Sequence, residues 1–212
     1  MTRVVLVDDH PVVREGIARF LERAGDLTVV GEAADAAEAL DICRRERPDV
    51  VVVDLALGQS SGLDLIASLK SEMPEIGAVV VSMYEASVYA PRAMSVGALG
   101  YVQKDRDPGE IVVAVRRVAA GKPTFSEEVQ AQFREARNQG RGQGDPANVL
   151  TNRELEVFRA IGEGRGNREI ADSLNLSIKT VYKHIERIKA KLRVTSGRQL
   201  VHVATEWVAG NR

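Results

Sequence analysis

The run Val50-Val51-Val52-Val53 stops abruptly at Asp54. Four β-branched residues in succession suit a strand buried on both faces, because alternation is lost only where neither face meets water. Such a strand belongs in a parallel sheet, which needs crossover connections, usually helices. The N-terminal half of the chain supplies both. Short apolar runs at 4–7, 28–32, 78–81 and 99–102 join 50–53 as strands, and amphipathic stretches at 11–24, 36–46, 62–72, 87–96 and 108–120 alternate with them. The pattern predicts an α/β doubly wound, five-stranded parallel sheet, with functional loops beyond the carboxyl ends of its strands.

Local punctuation sets the limits. Pro48 closes the second helix, Asp107-Pro108 reads as an N-cap followed by proline at the first helical position, and Gly121-Lys122-Pro123 closes the fifth. A linker is expected over 122–148. Within it Ser126-Glu127-Glu128 can cap a short helix to about 136, and Asn138 to Pro146 holds three glycines and no large apolar residue. From 149 onward the pattern is wholly helical, at about 151–162, 167–174, 178–192 and 197–208. Thr151 and Glu154 have capping-box spacing. The short turn Asn175-Leu176-Ser177 joins two helices, as in a helix-turn-helix. Ile178, Val181, Ile185, Ile188 and Leu192 form the expected buried stripe of the third helix.

Charge separates the same two halves. The 212 residues carry 29 Lys+Arg and 30 Asp+Glu, yet residues 1–148 hold 17 and 23 while 149–212 hold 12 and 7. An acidic module is thus joined to one suited to a polyanion. The single cysteine, Cys43, excludes an internal disulfide and fits helix packing, and His10, His184 and His202 are too scattered to suggest a metal cluster alone. Aromatic residues at 4 % argue against a single-strand binder built on stacking. No stretch approaches the ~18 apolar residues of a membrane span, and the apolar run 4–7 is too short for a secretory signal; a cytoplasmic location is expected.

Asp8-Asp9 ends the first strand and Asp54 the third, and these strands are neighbours in a doubly wound sheet. Three carboxylates that close repel one another unless a cation intervenes, and a hard divalent ion with oxygen ligands, commonly Mg2+, is the remedy. Ser82 ends the fourth strand and Lys104 follows the fifth. The set suits phosphoryl transfer: Asp54 as the nucleophilic phosphoacceptor, Asp8, Asp9, Asp54 and the backbone carbonyl of Ala56 as metal ligands, Lys104 and Ser82 on the phosphoryl oxygens. His10, one residue past the acids, borders the site.

Val7-Asp8-Asp9-His10, Asp54-Leu55, Gly62, Ser82 and Gly100-Tyr101-Val102-Gln103-Lys104-Asp105 resemble the flavodoxin-like receiver domain of bacterial two-component response regulators, over residues 3–121. The resemblance implies a sensor histidine kinase as phosphodonor, Mg2+ dependence, and a switch in which Ser82 moves toward the phosphoryl group while Tyr101 changes rotamer. Two departures matter. Leu57-Gly58 stands where the family usually has Met-Pro, which bears on the phosphorylated lifetime and not on the acceptor, and Ala56 and Tyr84 occupy positions where the family tunes hydrolysis.

Leu150 to Val157, Gly164, Asn167 to Ala171, Leu174, Leu176-Ser177, Thr180-Val181, His184 and Lys191-Leu192 resemble the LuxR-type DNA-binding domain, which makes the chain similar to the NarL/FixJ subfamily of response regulators. The basic helix at 178–192 then reads double-stranded DNA. Lys179 and Thr180 lie at its start, Lys183 and Arg187 share a face suited to base edges, and Lys189, Lys191 and Arg198 suit phosphates. Tyr182 stands where the family commonly has lysine, and His184 suits helix packing. The last helix mediates dimerisation in this family, which nominates Leu200, Val203 and Trp207 for a homodimer. The resulting expectation is a non-enzymatic transcription regulator controlled at Asp54. Two rival expectations are a phosphorylation-independent regulator with an idle receiver, and an aspartyl-phosphate hydrolase, which Ala56 disfavours because such enzymes often need an acid there.

Overall fold

The computed structural model describes residues 1–133 and 146–210, apart from 59, 128, 132 and 175. The expected tether at 138–145 and the far end of the short helix at 126–136 lie outside the described residues. The chain divides into two compact units, Met1–Phe133 and Arg134–Arg212.

In the first unit, β1 (Thr2–Val7), β2 (Leu27–Ala33), β3 (Val50–Val53), β6 (Gly77–Ser82) and β7 (Gly100–Gln103) form a five-stranded sheet in the order β2-β1-β3-β6-β7, every pair parallel. The four valines of β3 are all buried, as an unbroken apolar run at the sheet centre requires. On one face Val4, Leu6, Val50, Val52, Val79 and Val81 pack with Ala18 and Leu21 of α1 (Pro11–Arg23) and Ile111, Val115 and Val118 of α5 (Gly109–Ala119). Residues of opposite parity face the other layer, where a side chain at Gly31 would meet Ile42 of α2 (Ala36–Glu46) at 2.5 Å and Val5 at 3.6 Å. α3 (Gly62–Glu72) and α4 (Ala86–Ser95) complete the crossovers.

Helix ends obey side-chain chemistry. Asp35 caps α2 by accepting from the N–H groups of Ala37 and Glu38, both at 2.9 Å. Arg47 adopts a left-handed conformation (φ 46°) immediately before Pro48, which ends α2 there. Asp107 Oδ1 accepts from Gly109 N–H at 2.8 Å, with Pro108 already helical. The residues after α5 stay with this unit: Thr124 N–H donates to Leu99 carbonyl at 2.8 Å, and Phe125 and Val129 are buried. A hairpin escaped the periodicity reading: β4 (Ala56–Leu57) pairs antiparallel with β5 (Ser60–Ser61) just after Asp54.

The second unit contains α6 (Pro146–Val149), α7 (Asn152–Gly162), α8 (Asn167–Ser173), α9 (Ile178–Leu192) and α10 (Gly197–Gly210). Thr151 and Glu154 complete the capping box of α7, with Thr151 N–H donating to Glu154 Oε2 at 2.8 Å. Ser177 caps α9 by accepting from Thr180 N–H at 3.0 Å. The expected stripe of α9 is narrower than its spacing implies: Val181 and Ile188 are buried, Ile185 and Leu192 half-buried, and Ile178 is exposed. Side chains at the start of a helix lean toward its N-terminus, past the first turn, which leaves Ile178 40 % exposed. No described helix is long and apolar enough to cross a membrane.

Candidate functional site

Parallel strands deliver their carboxyl ends to one sheet edge, and the chemistry collects there. Asp8 (3 % exposed), Asp54 (6 %) and Ser82 (1 %) are buried polar residues in a sheet otherwise lined by valine. Lys104 Nζ donates to Asp8 Oδ2 at 2.7 Å and to Asp54 Oδ2 at 2.6 Å, so one ammonium bridges the ends of β1 and β3. Lys104 is itself placed by its N–H, which donates to Ser82 carbonyl at 2.9 Å. Burial pushes the Asp54 carboxyl above its ordinary value and outweighs the opposing pull of Lys104. Burial alone would lower Lys104, but Asp54 and Asp8 together hold its ammonium above its ordinary value.

Asp8, Asp9, His10 and Asp54 offer ligand atoms that all lie within 4.8 Å of one another. The three carboxylates are an acidic cluster of the kind that binds Mg2+, and their hard oxygens fit that ion. His10 comes closer than a bordering role implies, with Nδ1 2.7 Å from Asp9 Oδ1 while its ring stays largely in solvent. Its backbone N–H donates to Asp8 Oδ1 at 2.8 Å, and Arg14 Nη1 donates to Asp8 carbonyl at 2.5 Å. Ala56 begins the hairpin strand paired to Ser61, which fixes it two residues beyond Asp54.

Two glycines hold this geometry. Gly58, with φ 57°, donates its N–H to Asp9 Oδ2 at 3.0 Å, a bond that proline at this position lacks the hydrogen to make. The departure at Leu57-Gly58 therefore exchanges ring rigidity for a tether to Asp9 of the acidic cluster. Gly62 opens α3 with its N–H on Leu55 carbonyl at 2.9 Å, and a Cβ there would lie 2.0 Å from Asp54 carbonyl oxygen. Neither contact was visible in the spacing of the sequence.

Along the β6–α4 loop, Tyr84 N–H donates to Ser82 Oγ at 3.3 Å and Tyr101 hydroxyl donates to Tyr84 carbonyl at 2.8 Å. The Tyr84 ring stacks on buried Tyr89, centroids 4.9 Å apart and planes at 23°. Ser82, Tyr84 and Tyr101 are thus linked in one chain of contacts running away from Asp54.

In the second unit, Lys179, Lys183 and Arg187 are exposed on α9 and Arg198 is exposed on α10, and Tyr182 stands 54 % exposed beside them. Three nominated residues have partners of their own. Thr180 Oγ1 is 2.7 Å from Ser177 Oγ, within the cap. Lys189 pairs with Glu186 at 2.9 Å. Lys191 pairs with buried Glu154 at 2.7 Å, tying α9 to the capping box of α7. His184 is half-buried with Nδ1 out of solvent, and burial lowers its pKa below the ordinary value, in keeping with packing. Leu200 corrects an expectation: at 2 % exposed it belongs, with Ala204 and Val208, to the core of its own domain. Trp207 packs on Phe158, ring centroids 5.8 Å apart, and like Val203 keeps part of its surface exposed.

Comparison with known proteins agrees with both halves. Residues 4–116 match the response regulator receiver domain and residues 148–204 match the bacterial regulatory proteins of the luxR family. The nitrate/nitrite response regulator protein NarP of Escherichia coli is 38 % identical over 92 % of this chain and 90 % of its own. The DNA-binding transcriptional activator DevR/DosR of Mycobacterium tuberculosis is 35 % identical over 97 % of this chain and 95 % of its own. A solved structure of RcsB from Salmonella enterica serovar Typhimurium, bound to promoter rprA in the presence of a phosphomimetic, is similar with a TM-score of 0.59 and 26 % identity, over 96 % of this chain and 98 % of that one.

Proposed function

The chain belongs to the NarL/FixJ-type response regulators, which join a receiver to a LuxR-type DNA-binding domain, and on that premise we propose that phosphorylation of Asp54 controls its binding to DNA. The observation that carries this reading is the ammonium of Lys104 bridging Asp8 and Asp54 at 2.7 and 2.6 Å. It holds Asp54 as a nucleophile and stands ready for a phosphoryl oxygen.

The donor is the phosphohistidine of a sensor histidine kinase. Asp54 Oδ attacks phosphorus, the P–N bond breaks as the P–O bond forms, and the histidine nitrogen departs. Asp8, Asp9, Asp54 and the backbone carbonyl of Ala56 would hold Mg2+, which supplies positive charge against the phosphate oxygens. Lys104 and Ser82 take the remaining phosphoryl oxygens. As Ser82 turns toward the phosphate it leaves Tyr84 N–H, and Tyr101 exchanges its bond to Tyr84 carbonyl for a buried rotamer. The receiver thereby shifts between two populations, and the phosphorylated one favours a homodimer.

α9 enters the major groove of double-stranded DNA, with Lys179, Lys183 and Arg187 toward the duplex and Arg198 toward phosphate. Val203 and Trp207 of α10 remain the dimer candidates, without Leu200. The chain works as a regulator in the cytoplasm, where its kinase partner and DNA meet, and not as an enzyme.

The test compares wild type with Asp54→Asn. Labelling by a phosphodonor in Mg2+ should be abolished by Asp54→Asn and by chelation, and duplex DNA affinity should rise on phosphorylation in wild type alone. Equal labelling of the variant would remove the acceptor assignment, and equal DNA affinity in all four states would leave the receiver idle.

A further inference from the structure

Ile178 and Tyr182 are large apolar side chains, 40 % and 54 % exposed, four residues apart on the face of a helix otherwise dressed in cations. The other large apolar residues of α9 face the domain core: Val181 and Ile188 are wholly buried, Ile185 and Leu192 half-buried. Helical spacing sets Ile178 and Tyr182 side by side, and sets Lys179 and Lys183 beside them along the same exposed face. An isoleucine and a tyrosine left about half in water next to two lysines keep apolar area that their own domain does not cover. They gain by meeting a surface that is anionic at its rim and apolar within.

B-DNA offers that combination in one place. Its phosphates line the groove walls, and among the bases thymine alone presents a methyl group on the major-groove edge. We propose that Ile178 and Tyr182 form an apolar pair that selects thymine C5-methyl groups in the major groove. The proposal rests on the reading of α9 as the recognition helix and deepens it, naming the base chemistry that this chain's departure at Tyr182 reads. A lysine at this position offers only donors, to phosphate or guanine acceptors. A tyrosine ring and a γ-methyl of isoleucine offer contact area to a methyl group instead. Lys179 and Lys183 supply the electrostatic attraction, which is indifferent to sequence.

The experiment uses the full chain with phosphoramidate and Mg2+. Bound duplexes are enriched from a randomised library, and the enriched site is titrated with each thymine replaced in turn by uracil, which removes only the methyl. At one or more positions per half-site uracil should cost wild type about fourfold in affinity, the equivalent of one methyl returned to water. Tyr182→Phe should keep that penalty, and Ile178→Ala with Tyr182→Ala should erase it while binding remains salt-dependent. Both positions are exposed, so the variants keep their fold, which circular dichroism checks. A wild-type site at which no uracil costs affinity overturns the proposal and leaves DNA binding standing. Enrichment of no duplex at all overturns the recognition-helix reading, and the proposal with it.

Discussion

Replacing Gly62 by alanine adds one methyl group where the structure has no room. The new Cβ would stand 2.0 Å from Asp54 carbonyl oxygen and 2.9 Å from its carbon, with Leu55 Cα at 3.0 Å. Contacts below 3.0 Å are not tolerated, so α3 or the Asp54–Leu55 backbone must move by about 1 Å. Both obstructing groups are backbone, and neither can swing aside as a side chain would. Overpacking of this kind costs about 1–3 kcal/mol or somewhat more, and the loss belongs to the receiver unit. A displacement of about 1 Å at the nucleophile also lowers rates by about 100-fold when geometry governs the reaction. Gly62→Ala should therefore melt earlier and accept phosphate from a small-molecule donor far more slowly, even well below its melting temperature. Gly162→Ala is the control: its Cβ would stand 2.4 Å from Ala204 carbonyl oxygen, a clash of the same kind, also against backbone, in the other unit. That variant should lose stability in the DNA-binding domain and keep its phosphorylation rate. Wild-type phosphorylation kinetics in Gly62→Ala would refute the reasoning, because they would show that the loop yields without moving Asp54.

Two further perturbations test charges that are buried in opposite senses. Asp54→Asn should raise the melting temperature of metal-free protein near neutral pH, since burial holds the Asp54 pKa above its ordinary value of 3.8 and the fold is strained by the ionised form. The penalty is absent where both folded and unfolded chains are protonated, so the advantage should shrink as pH falls toward that value, and a pH-independent gain would refute the cause. Glu154 runs the other way: hydrogen bonds from Lys191 and from Thr151 outweigh its burial and hold its pKa below the ordinary 4.5. Its stabilisation is present above that value and lost as pH falls through the lower folded pKa, so Glu154→Gln should be less stable than wild type at neutral pH and converge with it in acid. Curves that stay parallel down the acid limb, followed by circular dichroism, would sink this assignment.

How far the sequence carried the fold depended on whether a feature repeats. Val50–Val53 and its fellow runs located every strand of the parallel sheet, and the topology then brought Asp8, Asp54, Ser82 and Lys104 to one edge without any tertiary information. The hairpin Ala56–Leu57 with Ser60–Ser61 has two residues per strand, too few to show a period, so the Gly58 tether to Asp9 went unseen. A stripe also does not say what it packs against. On α10 the residues Leu200, Ala204 and Val208 line the side facing α7, where Gly162 admits the close approach of Ala204, and nothing in their spacing distinguishes that from a dimer seam. Charged residues hide their partners in the same way: nothing in the spacing of Lys191 shows that Glu154 lies 2.7 Å from it.

With Asp54 proposed as phosphoacceptor, the sheet edge has the charge balance that a switch would need. Three carboxylates gather there, and among the described residues Lys104 is the ammonium bonded to two of them, so the cluster is short of positive charge before any phosphate arrives. A phosphoryl group on Asp54 exchanges one negative charge for about two. Such an addition is tolerable only if a cation joins Asp8 and Asp9 and if every nearby donor turns inward. Ser82 is a buried hydroxyl at the end of the neighbouring strand, and its present partner, Tyr84 N–H at 3.3 Å, holds it weakly. Tyr84 in turn carries the Tyr101 bond and the stack on Tyr89, so a demand for one more donor at Asp54 necessarily disturbs groups that lie away from the phosphate. On the proposed function, the same shortage of positive charge that strains the resting site would make phosphorylation of Asp54 felt at a distance.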